Sequence, residues 1–343
     1  MPHVRRITRK VACVAVRIFS GIQPTGSKHL GNYIGAITQY VAGQDRGEAI
    51  YCIVDLHATT MPFEPAELRE RVYDTTAILL AAGLEPERCI LFRQSDVAEH
   101  SQLAWLLGSV TSFGDLNRMH QFKEKSGSQR DLVSAGLFFY PVLQAADVLL
   151  YRAHEVPVGD DQRQHIELMR DIAERFNSRF GNVLVVPEGR YPEVGARVMD
   201  LQDPETKMST TGTSEQGTVY VLDEPAVVTK KLKSAVTDSG SEVVRAPDKA
   251  GISNLIEILA AVRASAPEEV EREFDGSGYG AFKSCVADAV VEYLAPVRER
   301  YHELRGDEAA LETTLAAGAE KARAIAVPVL ADVREAMGVG TPR

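Results

Sequence analysis

Cysteine is scarce and scattered. Cys13, Cys52, Cys89 and Cys285 are the whole set, with no two close enough for a zinc knuckle or a CxxC redox pair. Reduced, mostly buried thiols of a cytoplasmic enzyme are the reading that fits. No apolar run approaches the ~20 residues a membrane helix requires. Positive charge is also in short supply. The formal net charge is −10, which excludes a protein that coats nucleic acid indiscriminately. One RNA met by a local basic face stays open. Acids are missing from the start of the chain, where none precedes Asp45, while Arg5, Arg6, Arg9, Lys10 and Arg17 gather in residues 1–17. The apolar stretch 11–16 is short for the ~7–15 residues of a signal-peptide core. Residues 1–17 therefore read as a disordered basic extension, or as a start codon placed too early. No repeat or low-complexity segment stands out. With 343 residues, 45% hydrophobic and 25% charged, the chain has the makings of one large or two ordinary globular domains.

Strand-like and helix-like segments alternate in the first half. Residues 17–22, 48–55 and 89–94 read as buried strands. Residues 31–41, 65–82 and 99–110 read as helices, with Pro65 at the start of the second and Gly83 just past its end. Alternation of this kind implies a parallel sheet covered on both faces, with ligands beyond the carboxyl ends of its strands. A mostly apolar helix is expected over 134–151, a charged amphipathic one over 160–180, and a further strand over 197–203. After Tyr220 only helices follow, at 224–236, 252–263, 281–304 and 307–337, with the glycine-rich link 276–280 between them. The expected fold is α/β: a Rossmann-like doubly wound parallel sheet at 18–205, with a helical insertion at about 119–180. A signature loop and an all-helical C-terminal domain would occupy 206–343.

The stretch FSGIQPTGSKHLGNY, residues 19–33, follows the first strand. Glycine lets the backbone approach a ligand, and a helix N-terminus offers free N–H groups to phosphate. His29 and Asn32 add donors. By loop composition alone an ordinary strand-to-helix turn is the commoner explanation. The order of residues is more specific. QPTGSKHLGNY resembles the first signature of the class I aminoacyl-tRNA synthetases, and the flanking FSGIQP and the Gly-Asn-Tyr ending resemble the tryptophanyl form of the tryptophanyl/tyrosyl subgroup. DPETKMSTT, residues 203–211, resembles the second signature at its expected place before the C-terminal helices. The resemblance runs from about residue 17 to 338 and includes KSAVTDS and GISNLIEI.

The resemblance implies activation of L-tryptophan by ATP with Mg²⁺ and transfer to tRNA(Trp), in a cytoplasmic homodimer without membrane attachment or structural metal. The attacking carboxylate is already ionised, so alignment and cations at the leaving phosphates are the chemistry required. It implies nucleotide contacts from Gln23, Pro24, Thr25, Gly31, Asn32, Gly159, Asp160, Asp161, Val198, Lys207, Met208, Ser209, Thr210 and Thr211. His29, Asn32, Lys125 and Lys207 would be the catalytic group. Thr210 stands where the family has a second lysine, and Lys125 with Mg²⁺ is expected to compensate.

In the helix 134–151, Tyr140, Gln144, Asp147 and Tyr151 share one face by spacing. A polar line on an apolar helix is by default an edge touching solvent; the alternative is a pocket wall with a partly buried aspartate. The resemblance gives Asp147 the indole N–H, with Tyr140, Gln144, His57, Gln162, Phe19, Gly21, Val54, Val156 and Val158 around it. Gln144 replaces a methionine common in bacterial members and raises the expectation of altered tolerance to tryptophan-mimicking inhibitors. Lys230, Lys231 and Lys233 form a basic cluster at the head of the anticodon-recognising half, although a lysine run is more often a solvated helix face. A tyrosyl enzyme and a non-catalytic paralogue are the alternatives. The first is opposed by Gly31-Asn32-Tyr33 and VGDDQRQH. The second is opposed by retention of His29, Asn32, Asp147 and Lys207.

Overall fold

The computed structural model describes residues 16–121, 133–191, 198–209 and 214–341. Lys125, Thr210, Thr211, Cys13 and the basic extension up to residue 15 lie outside the described residues. Apolar, β-branched and aromatic runs form the first three strands: β1 (Arg17–Ile22), β2 (Glu48–Ile53) and β3 (Cys89–Arg93). They belong to a five-stranded, wholly parallel sheet in the order β3-β2-β1-β4-β5. The edge partners β4 (Glu155–Pro157) and β5 (Glu188–Arg190) have three residues each, too short to announce themselves by periodicity.

The strand expected at 197–203 is not formed among its described residues. Met199 makes only an isolated antiparallel bridge to Lys207. The reason is local: Asp200 Oδ1 accepts from the amides of Gln202 (2.7 Å) and Asp203 (3.0 Å), turning the chain before Pro204.

The first helical stretch opens as α1 (Leu30–Asn32), widens into a π turn over Tyr33–Ile37 and closes as α2 (Thr38–Gly43). The short α3 (Asp55–Ala58) follows β2, and α4 (Pro65–Ala81) ends before Gly83, whose φ of 111° suits only glycine. Then come α5 (Glu99–Gly108), α6 (Phe113–Asn117), α7 (Ala135–Leu149) and α8 (Arg163–Phe180). The C-terminal helices are α9 (Pro225–Lys233), α10 (Ala250–Arg263), α11 (Pro267–Glu273), α12 (Gly278–Arg305) and α13 (Glu308–Met337). The short α11 has no counterpart in the sequence reading.

Both sheet faces are covered. On one, Tyr51, Ile53 and Leu91 share a core with Ile37, Ile78, Leu255 and Phe282. On the other, Phe19, Ile50 and Phe92 pack with Leu103, Val142 and Ile172. The last helix also returns to the sheet, setting Ala319, Ala322 and Ala326 in this second core. Gly318 allows the approach, since a Cβ there would lie 1.8 Å from the Leu91 carbonyl oxygen.

The chain leaves β1 toward β2 and β3, then crosses back to place β4 on the other side of β1. The carboxyl ends of β1 and β4 therefore diverge at a topological switch point, where such sheets hold ligands.

Candidate functional site

A cavity of about 410 Å³ opens at that switch point. Phe19 and Gly21 come from β1, Val156 and Val158 from β4 and its exit, and Val54 and His57 from the end of β2 and α3. α7 contributes Tyr140, Gln144 and Asp147, and Gln162 completes the wall. Every residue expected around an aromatic amino acid thus lines one cavity. Gln23, Gly159 and Asp161 of the expected nucleotide set join them, along with Arg190, which sequence reasoning missed.

Asp147 is 2% exposed, so the solvent-edge reading of the α7 face fails for it. Its carboxylate meets His57 Nε2 through Oδ2 at 2.8 Å. Oδ1 meets His100 Nδ1 at 2.7 Å and accepts from Gln94 Nε2 at 2.6 Å. Burial alone would push this carboxyl up, but the bonds from His100 and His57 outweigh it and hold Asp147 well below the usual carboxylate range. It is ionised.

Sequence reasoning did not identify Gln94 or His100. Gln94 sits just past β3, at the carboxyl end of the sheet, and that position was its only signal. Tyr151 lies beyond the last residue of α7 and joins the network from behind, its hydroxyl 2.8 Å from His100 Nε2.

Tyr140 donates to Gln121 Oε1 at 3.1 Å and lies 2.9 Å from His165 Nε2; burial raises its phenol to about 12. Gln144 Nε2 donates to Gln162 Oε1 at 3.2 Å, and Gln162 Nε2 donates to Asp161 Oδ2 at 2.7 Å. Asp161 Oδ1 in turn faces Lys207 Nζ at 3.9 Å. One polar line therefore runs from the cavity wall to the lysine of the second signature.

The first signature is organised around the α1 N-terminus. His29 caps it: Nδ1 accepts from the Asn32 amide at 3.3 Å, and Asn32 Oδ1 accepts from the His29 amide at 3.2 Å. Burial, then Lys207 and Lys28, push the imidazole down to about 4. The ring is neutral, and because Nδ1 accepts, Nε2 carries the proton. Gly31 sits close to its neighbours: a Cβ would come within 3.1 Å of the His29 ring and 3.4 Å of Val198, so a side chain there would press on the capping imidazole.

The preceding loop is held by a residue absent from the expected set. Lys28 is buried and donates Nζ to the carbonyls of Gln23 (2.7 Å) and Thr25 (3.3 Å), around the buried Pro24. Burial, then Arg71, lower its ammonium to about 8.

Backbone pairing ties the first signature to residues 219–221, beyond the second. Leu30 N donates to Val219 O, and Val221 N donates to Lys28 O. Met208 N donates to Val198 O at 3.1 Å, and both side chains are buried in the core, so these two residues shape the loop from behind. Ser209 O accepts from Thr218 Oγ1. Asp160 pairs with Arg163 at 2.7 Å and, unlike Asp161, does not line the cavity.

Lys231 leaves the expected basic cluster. It is 4% exposed and donates to Thr218 O (2.8 Å) and Asp223 Oδ2 (2.7 Å), bracing the turn after the second signature. Lys230 and Lys233 remain exposed.

A buried anion with donors behind it, in an apolar-walled cavity, suits a flat ligand with one N–H. A capped helix mouth and an opposed lysine a short distance away suit a polyphosphate. This two-compartment arrangement on a Rossmann-like parallel sheet is that of a class I synthetase. The family described as tRNA synthetases class I (W and Y) matches residues 12–295, and the chain belongs to it.

Within the family, the chain is 51% identical to tryptophan–tRNA ligase 2 of Streptomyces avermitilis over 326 residues, 94% of this chain and 96% of that protein. It is 48% identical to the tryptophan–tRNA ligase of Corynebacterium glutamicum over 330 residues, 95% and 96% of the two. Among solved structures, the tryptophanyl-tRNA synthetase of Mycoplasma pneumoniae superposes with a TM-score of 0.88 at 33% identity, covering 95% of this chain and 98% of that one. The Campylobacter jejuni tryptophanyl-tRNA synthetase, determined with ADP and tryptophan, gives 0.80 at 34% identity over 94% and 100%.

Proposed function

We propose that the chain is a tryptophan–tRNA ligase: ATP + L-tryptophan + tRNA(Trp) gives tryptophanyl-tRNA, AMP and pyrophosphate through an enzyme-held tryptophanyl-adenylate. The observation that carries the reading is the switch-point cavity with the ionised, nine-tenths-buried Asp147 on its wall. In this reading the indole fills the cavity and donates its N–H to Asp147, between Phe19, Val54, Val156 and Val158. Gln162 and Tyr140 face the polar end of the amino acid. The adenine nucleotide extends past Gly159 and Asp161 toward Gln23, Thr25 and the α1 mouth, where Gly31 leaves space and His29 Nε2–H and Asn32 face the phosphates.

The tryptophan carboxylate attacks the α-phosphorus, and the P–O bond to pyrophosphate breaks. The nucleophile carries its own charge, so no protein base is needed. Lys207, and Lys125 from outside the described residues, meet the charge growing on the leaving group. Mg²⁺ belongs to the substrate, carried on the ATP phosphates. Among the described residues no group of three or more His, Cys, Asp or Glu could hold a metal ion by itself.

The tRNA would be met by residues 206–343, with Lys230 and Lys233 as surface contacts. The partner chain is a second copy. Trp105 and Phe113, 80% and 72% exposed on neighbouring helices, offer the apolar anchors such a contact uses. None of the described helices is long and apolar enough to cross a membrane. The function is tested by ATP–pyrophosphate exchange with tryptophan and, separately, tyrosine, followed by charging of tRNA(Trp). Exchange that follows tyrosine, or charging that fails, overturns it.

A further inference from the structure

His57 and Asp147 line the cavity; Gln94 and His100 do not, yet both reach the same carboxylate. The carboxylate is therefore divided by side. Oδ1 takes two donors from residues outside the cavity lining, and Oδ2 takes His57, which lines the cavity. The donors behind are themselves fixed. Gln94 Oε1 accepts from the Leu56 amide at 3.1 Å, which leaves its Nε2 as the only group it can offer Asp147. His100 faces an acceptor-only carboxylate through Nδ1, so that nitrogen carries a proton, and its Nε2 lies 2.8 Å from the Tyr151 hydroxyl. Burial, then Cys52 and Asp147, keep the Tyr151 phenol protonated and able to donate. Gln94, His100 and Tyr151 are all wholly buried.

We propose that Gln94 and the His100–Tyr151 pair are positioning residues that set substrate selectivity: by saturating Oδ1 and locking the carboxylate plane, they leave Oδ2 as the single acceptor presented to the ligand's ring N–H. An acceptor that cannot turn rejects a ring without a donor, because Oδ2 then keeps His57 alone and loses the ligand's hydrogen bond against apolar walls. If the plane can rotate, the carboxylate recruits other partners and the penalty falls. The proposal rests on the tryptophan reading of the cavity and adds to it residues that touch no substrate.

The test uses full-length enzyme in ATP–pyrophosphate exchange, with tryptophan and with its benzothiophene analogue, which keeps the ring shape and lacks the N–H. Gln94→Met and His100→Leu should each raise KM for tryptophan ~10-fold, change KM for ATP less than ~2-fold, and narrow the tryptophan-to-analogue preference ~10-fold. His100→Asn, whose amide replaces the Nδ1 donor, should recover most of the preference. Equal losses for both substrates, or a KM for ATP that moves with them, would overturn the proposal.

Nitrogen NMR of the ligand-free wild type supplies a readout independent of folding defects and of turnover. The proton must sit on Nδ1 of His100 and on Nε2 of His57, and the opposite tautomer on His100 overturns the arrangement. A wild type that shows these tautomers but no tryptophan-dependent exchange would refute the tryptophan assignment instead.

Discussion

The two compartments of the site are built in different ways. Around Asp147 the polar atoms are buried and paired in a fixed sequence: Leu56 to Gln94, Tyr151 to His100, and both chains to one carboxylate. At the proposed phosphate mouth the cation assigned to the leaving group, Lys207, is 58% exposed and meets Asp161 only at 3.9 Å. An ion pair that loose and wet is worth about 0–1 kcal/mol, so a polyphosphate can take the lysine at little cost. On the proposed function, one compartment is preorganised to discriminate and the other is left free to respond to charge that arrives with the substrate and grows during reaction. Selectivity and rate should therefore separate by location.

The sharpest break comes from neutralising the carboxylate. Asp147→Asn keeps the shape but puts an amide NH₂ against donors that need an acceptor. We expect kcat/KM for tryptophan to fall ~10³-fold or more in the exchange assay, with KM for ATP within ~3-fold. An ATP effect as large as the tryptophan effect would dissolve the distinction between compartments.

Lys207→Met should do the reverse: kcat drops ~10²-fold and KM for tryptophan stays put, because in the proposed mechanism the lysine meets transition-state charge. Lys125→Ala should lower kcat in the same way, and Thr210→Lys should partly restore the Lys125 variant. Unchanged kcat in Lys125→Ala would remove that residue from the mechanism.

How much of this was readable beforehand also divides by compartment. The phosphate side was legible as chain order, since a signature is contiguous: His29, Gly31 and Asn32 fall on one helix mouth because they are neighbours. The amino-acid cavity was legible in part, through helical spacing on α7, and every residue expected from the resemblance lines it. Gln94, His100 and Lys28 were not legible. Gln94 and His100 act through contacts across elements, 53 and 47 residues from Asp147, and the short 3–5 residue span of Lys28 depends on a loop path that composition does not fix. The three-residue strands β4 and β5 were missed for want of length, and the strand expected at 197–203 was lost to a turn made by one aspartate side chain. Lys231 shows the opposite error, a charge assigned to the surface that the fold buries against Asp223.

The mouth also carries a pH signature. The folded His29 imidazole is depressed to about 4 against an ordinary 6.5, so the unfolded chain binds its proton first as pH falls. Stability contributed by the neutral ring is present above about 6.5 and is lost as pH drops through 4. The loss is on the order of 3 kcal/mol from this group. Urea unfolding at pH 7 and pH 4 should show it in the wild type. It should be largely absent in His29→Asn, which can still cap the helix through its side-chain oxygen. Parallel losses in both proteins would mean that the ring is not neutral in the fold.

The smallest effect should fall where the compartments join. Gln144 donates to Gln162, which donates to Asp161, which faces Lys207. Gln144→Met fills similar volume and removes the first donor. Tryptophan, held on the proposed reading chiefly through Asp147, should lose or gain no more than ~3-fold in KM. A tryptophan-mimicking inhibitor that leans on the 144–162 wall should shift ~10-fold in affinity, since one hydrogen bond is worth about 1 kcal/mol and the amide's desolvation adds to it. Inhibition constants measured beside tryptophan KM for both proteins decide the matter. If the two ligands shift together, or neither shifts, Gln144 does not set inhibitor tolerance and the polar line between the compartments begins at Gln162.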